Sequence, residues 1–428
     1  MLNNIIKIAR ECIFCKKMFI SLRMLNLVFF FCVIIILTSC DNYLEEITGI
    51  NMYSYNGKQK LLKIPVPKGG ITFPTGFYDD DTAFVAKPYY LGETQVTMSM
   101  YFTIARWAQE NKGYENLIIL DPQHSYDPND IDNLYIAYPS YVWWYRSNTG
   151  KYFKDLPING IQYTAAIVWC NAYTEWYNNK FKTNYSPVYV DKNGEPIRKA
   201  LIPMMPSPEN IGGYVGDSFL PCIQIWFDRA HGYYFNYLIE QEGFEKYFNN
   251  SPTTGTGFRL PTANEWELAA RWNGINILNS VDKTISGIDF SSQLIKFTKG
   301  NSASGSDDNI ENLNETGKVA IFNLMHYNVS FGLQKPKTKK ANALGLYDMS
   351  GNLREIVYDV FYIDINKLNI WGRPTGEKVP WPFAQARGGS YCDGLNYNLD
   401  ALSVGIGIYV DATAFNHFYG FRIARDTD

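Results

Sequence analysis

The chain has 428 residues, of which 46% are hydrophobic and 16% aromatic, and its formal net charge is −3. This composition is ample for a packed core and excludes an intrinsically disordered chain. The slight negative charge excludes attraction of nucleic acid or anionic lipid by charge alone.

The N-terminal 40 residues have the pattern of an export signal. Basic residues precede a short apolar run, "LNLVFFFCVIIIL", at 25–37. The run is shorter than the ~20 residues that a membrane-spanning helix needs, so residues 1–40 are predicted to be a signal peptide. The run ends in "LTSC", which resembles a bacterial lipobox and makes Cys40 the predicted lipidation site. The alternative is an uncleaved signal anchor.

A cleaved and acylated chain would be exported and held in the cell envelope at a bacterial membrane, on the periplasmic side or on the outer surface. Five of the 39 basic and one of the 42 acidic residues lie in 1–40, which leaves 34 and 41 and a net charge of −7. The lipid anchor, and not charge, would therefore hold the protein to the membrane. Residues 41–58 are polar and are predicted to form a tether.

Short strands with Gly and Pro between them are predicted from residue 59 onward, because polar and apolar residues alternate there. The segment "MSMYFTIARWAQENKG" predicts a helix that ends at Gly113. One face of this helix is apolar, formed by Tyr101, Ile104, Ala105 and Ala108. A second helix is predicted over "TAAIVWCNAYTEWYNNKF", and Asn193-Gly194 predicts a hairpin turn.

The second half of the chain has one well-formed local signal. Thr262 and Glu265 have the spacing of a capping box at the start of a helix, and Asn273-Gly274 is predicted to end it. The aromatic-rich segment 200–257 is interpreted as an insertion that covers the core, with a platform for sugar or protein as the alternative. Few helices among many short strands predict one irregular α+β domain over residues 59–428.

Four separated segments together resemble the formylglycine-generating-enzyme-like, or sulfatase-modifying factor, family. They read "YYLGETQVTMSMY", "GFRLPTANEWELAAR", "NALGLYDMSGNLRE" and "RGGSY" followed by "GFRIAR". The resemblance implies a single domain with a C-type-lectin-like fold that is low in regular secondary structure. The family contains copper-dependent oxidases, iron-dependent enzymes that form C–S bonds, and secreted or lipid-anchored members with no known chemistry.

The resemblance implies a structural calcium site in the third segment. The family's loop binds Ca²⁺ through a side-chain oxygen, two backbone carbonyls and a glutamate, and the matching positions here are Asp348, Gly351, Leu353 and Glu355. The chemistry fits independently, because Ca²⁺ takes several oxygen ligands and a tight turn can supply carbonyls. The alternative is an ordinary turn with solvated carboxylates. The two tryptophans that flank the family's glutamate are absent here.

The family's redox chemistry is not expected in this chain. The oxidases need a pair of cysteines after the "GGSY" strand to hold Cu(I), whereas here Cys392 follows one residue early and no second cysteine succeeds it. Cys392 is therefore interpreted as a small buried residue, and remains a weak catalytic candidate. The iron enzymes need clustered histidines, but the four histidines, at 124, 231, 326 and 417, are scattered. Neither copper nor iron is predicted.

Residues 391–419 have an unusual composition that suggests a contact surface. This segment contains no Lys, Glu, Gln, Met, Trp, Arg or Pro. Some relatives diversify this region with a retroelement that randomises Asn codons, and every residue type present is reachable from such codons. The first interpretation is two Gly-spaced core strands with polar turns, and the second is a ligand-contacting surface built from Tyr, Asn and Asp. The predicted ligand-contacting residues are Asp393, Asn396, Tyr397, Asn398, Asp411, Asn416, His417 and Tyr419.

These observations favour a lipid-anchored, non-catalytic module of the cell envelope that binds a protein or glycan ligand and is stiffened by Ca²⁺. One alternative is an oxidoreductase of the sulfatase-activating or iron-dependent type. Another is a structural component of a secretion or gliding assembly. Nucleic acid is not an expected partner, since the exported chain is acidic.

Overall fold

The computed structural model describes residues 57–117, 155–201, 247, 255–323, 332–368, 374–395, 398–412 and 418–427. Several predictions lie outside these residues: the signal peptide with Cys40, nearly all of the tether, most of the 200–257 insertion, all four histidines, and Asn396, Tyr397 and Asn416.

The described residues contain four α-helices: α1 Met98–Lys112, α2 Tyr163–Phe181, α3 Ala263–Arg271 and α4 Leu313–Val319. The first helix confirms the sequence prediction in detail. The Thr97 hydroxyl accepts a hydrogen bond from the Met100 N–H and caps its start. Gly113 ends it with a φ of 67°, a left-handed conformation that glycine adopts readily. The four residues predicted to share its apolar face are all buried.

The second predicted helix is also present, and it runs through the centre of the largest core cluster. Most of its side chains are buried, so it lacks a distinct polar face. Trp169 stacks between Tyr101 of α1 and Tyr173, with ring centroids 5.7 and 5.3 Å apart. These contacts fix α2 against α1 and explain why so many aromatic residues lie in this part of the sequence.

The capping box that begins α3 is confirmed, with the Thr262 and Glu265 side chains each accepting a bond from the other residue's backbone N–H. The end of α3 differs from the prediction. The helix stops at Arg271, and residues 272–274 continue as a short strand that pairs with 296–297. Trp272 takes an extended conformation because this pairing satisfies its backbone.

The strands are short except for two. They are β1 Leu61–Ile64, β2 Ile71–Thr75, β3 Asp81–Val85, β4 Tyr89–Gly92, β5 Trp272–Gly274, β6 Thr284–Ile285, β7 Ile288–Asp289, β8 Lys296–Phe297, β9 Arg354–Leu368, β10 Pro374–Arg387, β11 Gly407–Asp411, β12 Tyr419–Gly420 and β13 Ala424–Asp426. The predicted hairpin turn is present, with Gly194 at a φ of 83°. The fold is α+β, as predicted.

Two sheets position the loop at 348–355. The first has the order β1-β4-β13 and joins the two ends of the described chain. The second has the order β11-β10-β9-β12, and its short parallel strand β12 lies beside the first residues of β9. This pairing brings residues just after β12 against the end of the loop.

Part of the long hairpin of β9 and β10 is exposed. Residues 361–364 of β9 are all exposed. Because successive strand residues point to opposite faces, both faces of this part of the hairpin meet solvent. None of the described helices combines the length and apolar character that crossing a bilayer requires.

Candidate functional site

The loop at 348–355 ends in a buried ion pair. Glu355, at the start of β9, accepts two hydrogen bonds from the Arg422 guanidinium, at 2.5 and 2.6 Å. The indole N–H of Trp266 in α3 donates to the same carboxylate at 2.7 Å. All three side chains are at most 1% exposed. The pair therefore joins α3, β9 and the C-terminal segment in a dry environment, where charge-assisted hydrogen bonds are strong.

The turn itself depends on its glycine and asparagine. Gly351 has a φ of 77°, and a Cβ there would lie 2.2 Å from the Ile321 carbonyl oxygen. Asn352, with a φ of 62°, exchanges two hydrogen bonds of 3.0 Å with the Gln334 backbone. The backbone of this turn is thus fixed by close packing and by a buried amide.

Asp348 is buried at the start of the turn. Its carboxylate accepts a hydrogen bond from the Lys337 N–H at 3.0 Å. Burial raises the pKa of Asp348 to about 6, the Lys337 hydrogen bond and the charge of Arg422 lower this pKa, and the nearby charge of Glu355 raises it. A carboxyl group in this position would gain from a bound cation.

Three oxygens of the loop converge on one side-chain nitrogen. The Gln95 amide Nε2 donates to the Leu353 carbonyl at 2.9 Å and to Glu355 Oε1 at 3.0 Å, and it lies 3.4 Å from the Asp348 carbonyl. Of the predicted calcium ligands, Leu353 and Glu355 are brought together as expected. Asp348 contributes its carbonyl rather than its carboxylate to this group, and Gly351 is not among the acceptors of Gln95.

The oxygen atoms of this group are suitable donors for a calcium ion. Carbonyl and carboxylate oxygens are the ligands that Ca²⁺ prefers, and the second atom of the Gln95 amide, Oε1, is buried without a hydrogen-bond partner in the described structure. An ion here would be held by Asp348, Leu353 and Glu355, beside the guanidinium that Arg422 already places against Glu355. Among the described residues, no three His, Cys, Asp or Glu side chains are grouped to hold a metal.

Gln95 was missed by the sequence analysis. It precedes the Thr97 cap of α1 in the segment "TQVT", and its partners lie more than 250 residues further along the chain. A local pattern carries no signal for such contacts. A polar residue between the apolar strand β4 and a capped helix was the one available indication.

Cys392 lies in a setting that keeps its thiol protonated. Burial and the adjacent charge of Asp393 raise the pKa of Cys392 to about 12. Cys170, the other cysteine in the described structure, is fully buried within α2, and both are free of disulfides. A thiolate is the form that attacks a substrate, and the surroundings of Cys392 disfavour that form.

Two predicted contact residues lie in the interior. Asp393 is fully buried, pairs with Arg354, and accepts hydrogen bonds from the Ser390 N–H and hydroxyl at 2.7 and 2.9 Å. Asp411 is also buried, at 8% exposed. Their positions differ from the surface placement that we expected, because the Asp393 carboxylate neutralises a buried guanidinium.

The rest of the predicted contact set is divided. Asn398 is exposed, and Tyr419 is half-buried beside the guanidinium of Arg354. His417 lies outside the described residues, as do Asn396, Tyr397 and Asn416. The segment 391–419 therefore combines interior and surface positions.

An exposed aromatic pair adjoins this segment and was not foreseen. Tyr409 of β11 is 56% exposed and packs edge-on against Phe361 of β9, which is 40% exposed, with ring centroids 5.3 Å apart. Ile363 lies nearby on β9 and is 44% exposed. The pairing of β11 and β9 with β10 creates this patch, so it could not be read from either strand alone.

Three solved structures are similar to this chain. CarF is 18% identical, and the match covers 87% of this chain and 99% of CarF with a TM-score of 0.50. Treponema denticola variable protein 1 is 17% identical, with coverages of 86% and 95% and a TM-score of 0.44. PvdO from Pseudomonas aeruginosa is 14% identical, with coverages of 86% and 94% and a TM-score of 0.39.

No functionally curated protein matches the chain. CarF is similar over nearly its whole length, and at 18% identity this likeness bears on the fold alone. The model of the sulfatase-modifying factor enzyme 1-like domain matches residues 63–427. Since that match spans most of the sequence, this chain belongs to the sulfatase-modifying factor enzyme 1-like family.

Proposed function

We propose that this protein is a non-catalytic binding module of the bacterial cell envelope. In this proposal Cys40 carries a lipid anchor, the loop at 348–355 is stiffened by Ca²⁺, and the ligand is a protein. The single observation that carries the proposal is that Cys392 lies partly buried next to the Asp393–Arg354 ion pair, with no second cysteine after it in the sequence.

The surroundings of Cys392 support a structural role. The neighbouring Asp393 is paired with Arg354, and Ser390 donates to the same carboxylate. These contacts hold the chain after β10 in place. Two thiolates are needed to hold Cu(I) as the family's oxidases do, and no second cysteine follows Cys392 in the sequence.

The exposed aromatic pair supports the choice of a protein ligand. Tyr409 and Phe361 are presented on paired strands, so their positions cost little conformational entropy on binding. Aromatic anchors with an adjacent aliphatic residue, here Ile363, are typical of the energetic centre of protein interfaces. Asn398, exposed in the segment after Cys392, supplies a polar contact on the same segment as Tyr409.

A copper titration tests the non-catalytic part of the proposal. The full chain, purified in detergent and reduced, is titrated with Cu(I) against a competing chelator. We expect no tight stoichiometric binding, because a protonated and half-buried thiol is a poor ligand. The matched control is Cys392→Ser, which should behave like the wild type. Tight binding of one Cu(I) that disappears in Cys392→Ser would establish the oxidoreductase alternative instead.

A further inference from the structure

The Gln95 side chain lies against the loop oxygens, but its amide nitrogen faces them and its amide oxygen does not. It is fully buried, and its Nε2 points at oxygens of Asp348, Leu353 and Glu355, while Oε1 has no hydrogen-bond partner in the described structure. A buried acceptor without a partner is rare and calls for an explanation. A rotation of about 180° around the last side-chain bond would exchange the two atoms.

The distances from the Gln95 amide to the loop oxygens are compatible with ligands of one calcium ion. Ca²⁺–oxygen bonds are about 2.4 Å long, so two ligands at a right angle stand about 3.4 Å apart, and at about 75° they stand about 2.9 Å apart. The separations from the Gln95 amide to the three oxygens are 2.9, 3.0 and 3.4 Å. With Oε1 turned inward, this oxygen would lie about as far from each of the other three as two ligands of one ion lie from each other.

We propose that Gln95 is a calcium ligand of this chain, through Oε1, and that its amide has two positions. Without the ion, Nε2 faces the three oxygens and holds the loop by hydrogen bonds. With the ion, Oε1 faces inward and completes the oxygen set. The inference deepens the proposed function and rests on its calcium-stiffened loop.

The energetics of the two positions are balanced. The rotation exchanges one unpaired amide atom for the other, so it adds no further unsatisfied group. The hydrogen bonds that Nε2 gives up are replaced by bonds between the ion and the same oxygens.

Calcium titration of three forms of the full chain tests this role. The wild type, Gln95→Leu and Gln95→Glu are purified in detergent, and their Tm and calcium dissociation constant are measured. We expect Gln95→Leu to bind Ca²⁺ at least about tenfold more weakly, since one oxygen is lost. We expect Gln95→Glu to bind about tenfold more tightly, and to have a lowered Tm without calcium because a carboxylate then faces the loop oxygens.

A second buried glutamine provides the matched control. Gln162 is 1% exposed, its Oε1 also lacks a partner in the described structure, and its amide donates to the Leu201 carbonyl. Gln162→Glu should lower the Tm equally with and without calcium. Equal dissociation constants for wild type and Gln95→Leu would overturn the ligand role.

The failure of the proposal is distinguishable from the failure of the calcium-stiffened loop. If the wild type shows no calcium response while Gln95→Glu gains one, the amide only holds the ion-free loop, and both calcium statements fall. If the wild type responds and Gln95→Leu responds equally, the calcium site stands without Gln95. Neither result bears on the non-catalytic binding role, which the copper titration tests separately.

Discussion

At the scale of single residues, the pairing of Glu355 with Arg422 decides how much the domain depends on one carboxylate. Arg422 is fully buried, and its other donors reach only the Gly92 and Tyr347 carbonyls, at 2.9 and 2.8 Å. Carbonyls satisfy the hydrogen bonds of a guanidinium but do not neutralise its charge. Glu355 therefore supplies the one carboxylate in contact with this buried cation in the described structure.

We expect Glu355→Gln to destabilise the domain by about 3–5 kcal/mol, because a buried charge loses its partner. Chemical denaturation in the presence of a calcium chelator measures this cost without a contribution from the ion. The matched control is Asp155→Asn, since Asp155 forms an ion pair with Lys335 in which both side chains are at least 50% exposed. That variant should leave the unfolding midpoint unchanged. A similar small shift for both variants would contradict the assigned role of the buried pair.

At the scale of elements, the sequence predicts those features that depend on residues close together in the chain. Helix α3 could be recognised because Thr262 and Glu265, which cap it, lie three residues apart. The partners of Glu355 lie 67, 89 and 260 residues away, at Arg422, Trp266 and Gln95. Contacts between residues so far apart in sequence form only when the sheets assemble. The loop could therefore be recognised by its resemblance to a family, but its hydrogen-bond partners could not be predicted.

The same reasoning explains the misplaced contact residues. Composition identified 391–419 as a polar and aromatic segment, but composition does not give the direction of each side chain. Asp393 points inward because Arg354 is buried beside it, and Tyr409 points outward because the register with Gln385 of β10 places it on the open face. Strand register, which depends on the partner strand, separates the two outcomes.

The aromatic pair on β9 and β11 yields a prediction at this scale. We expect the double variant Phe361→Ala, Tyr409→Ala to lose at least about tenfold in affinity for the protein partner, since aromatic anchors dominate interface energetics. Full-length bait immobilised in detergent captures the partner from membrane extracts, and the affinity for the recovered protein is then measured. Phe84→Ala is the control, because Phe84 is 53% exposed on β3 outside the patch. Binding to immobilised glycans, with no captured protein, would favour a sugar ligand instead.

At the scale of the whole molecule, a second buried charge network joins three distant parts of the chain. Glu267 of α3 pairs with Arg271 at 2.8 Å and with Arg387 of β10 at 2.6 Å. Arg271 in turn pairs with Asp79, between β2 and β3, at 2.5 Å. Short strands and a single short helix have little cooperative strength of their own. The network therefore makes the stability of these parts interdependent.

This network predicts how stability changes with acidity. Burial raises the pKa of Glu267, but Arg387 and Arg271 outweigh burial, and the net pKa lies below the usual 4.5. A carboxyl group with a lowered folded-state pKa stabilises the protein above its unfolded pKa, and this contribution is lost as the pH falls through the folded value. Asp79 has the opposite sign, because burial raises its pKa despite the contact with Arg271. Its proton is held more tightly in the folded state, so this group opposes the loss of stability in acid.

We therefore expect Glu267→Gln to be less stable than the wild type at neutral pH but to lose less stability between pH 4.5 and the acid transition. Asp79→Asn should show the reverse change in slope, since it removes the group that opposes acid unfolding. Urea unfolding at a series of pH values gives the free energy of unfolding for each form. The slope of this free energy against pH should lie, for the wild type, between the slopes of the two variants if the pKa shifts of Glu267 and Asp79 have the assigned directions. Parallel pH profiles for all three forms would show that the network does not couple stability to protonation, and that the acid sensitivity of the fold arises elsewhere.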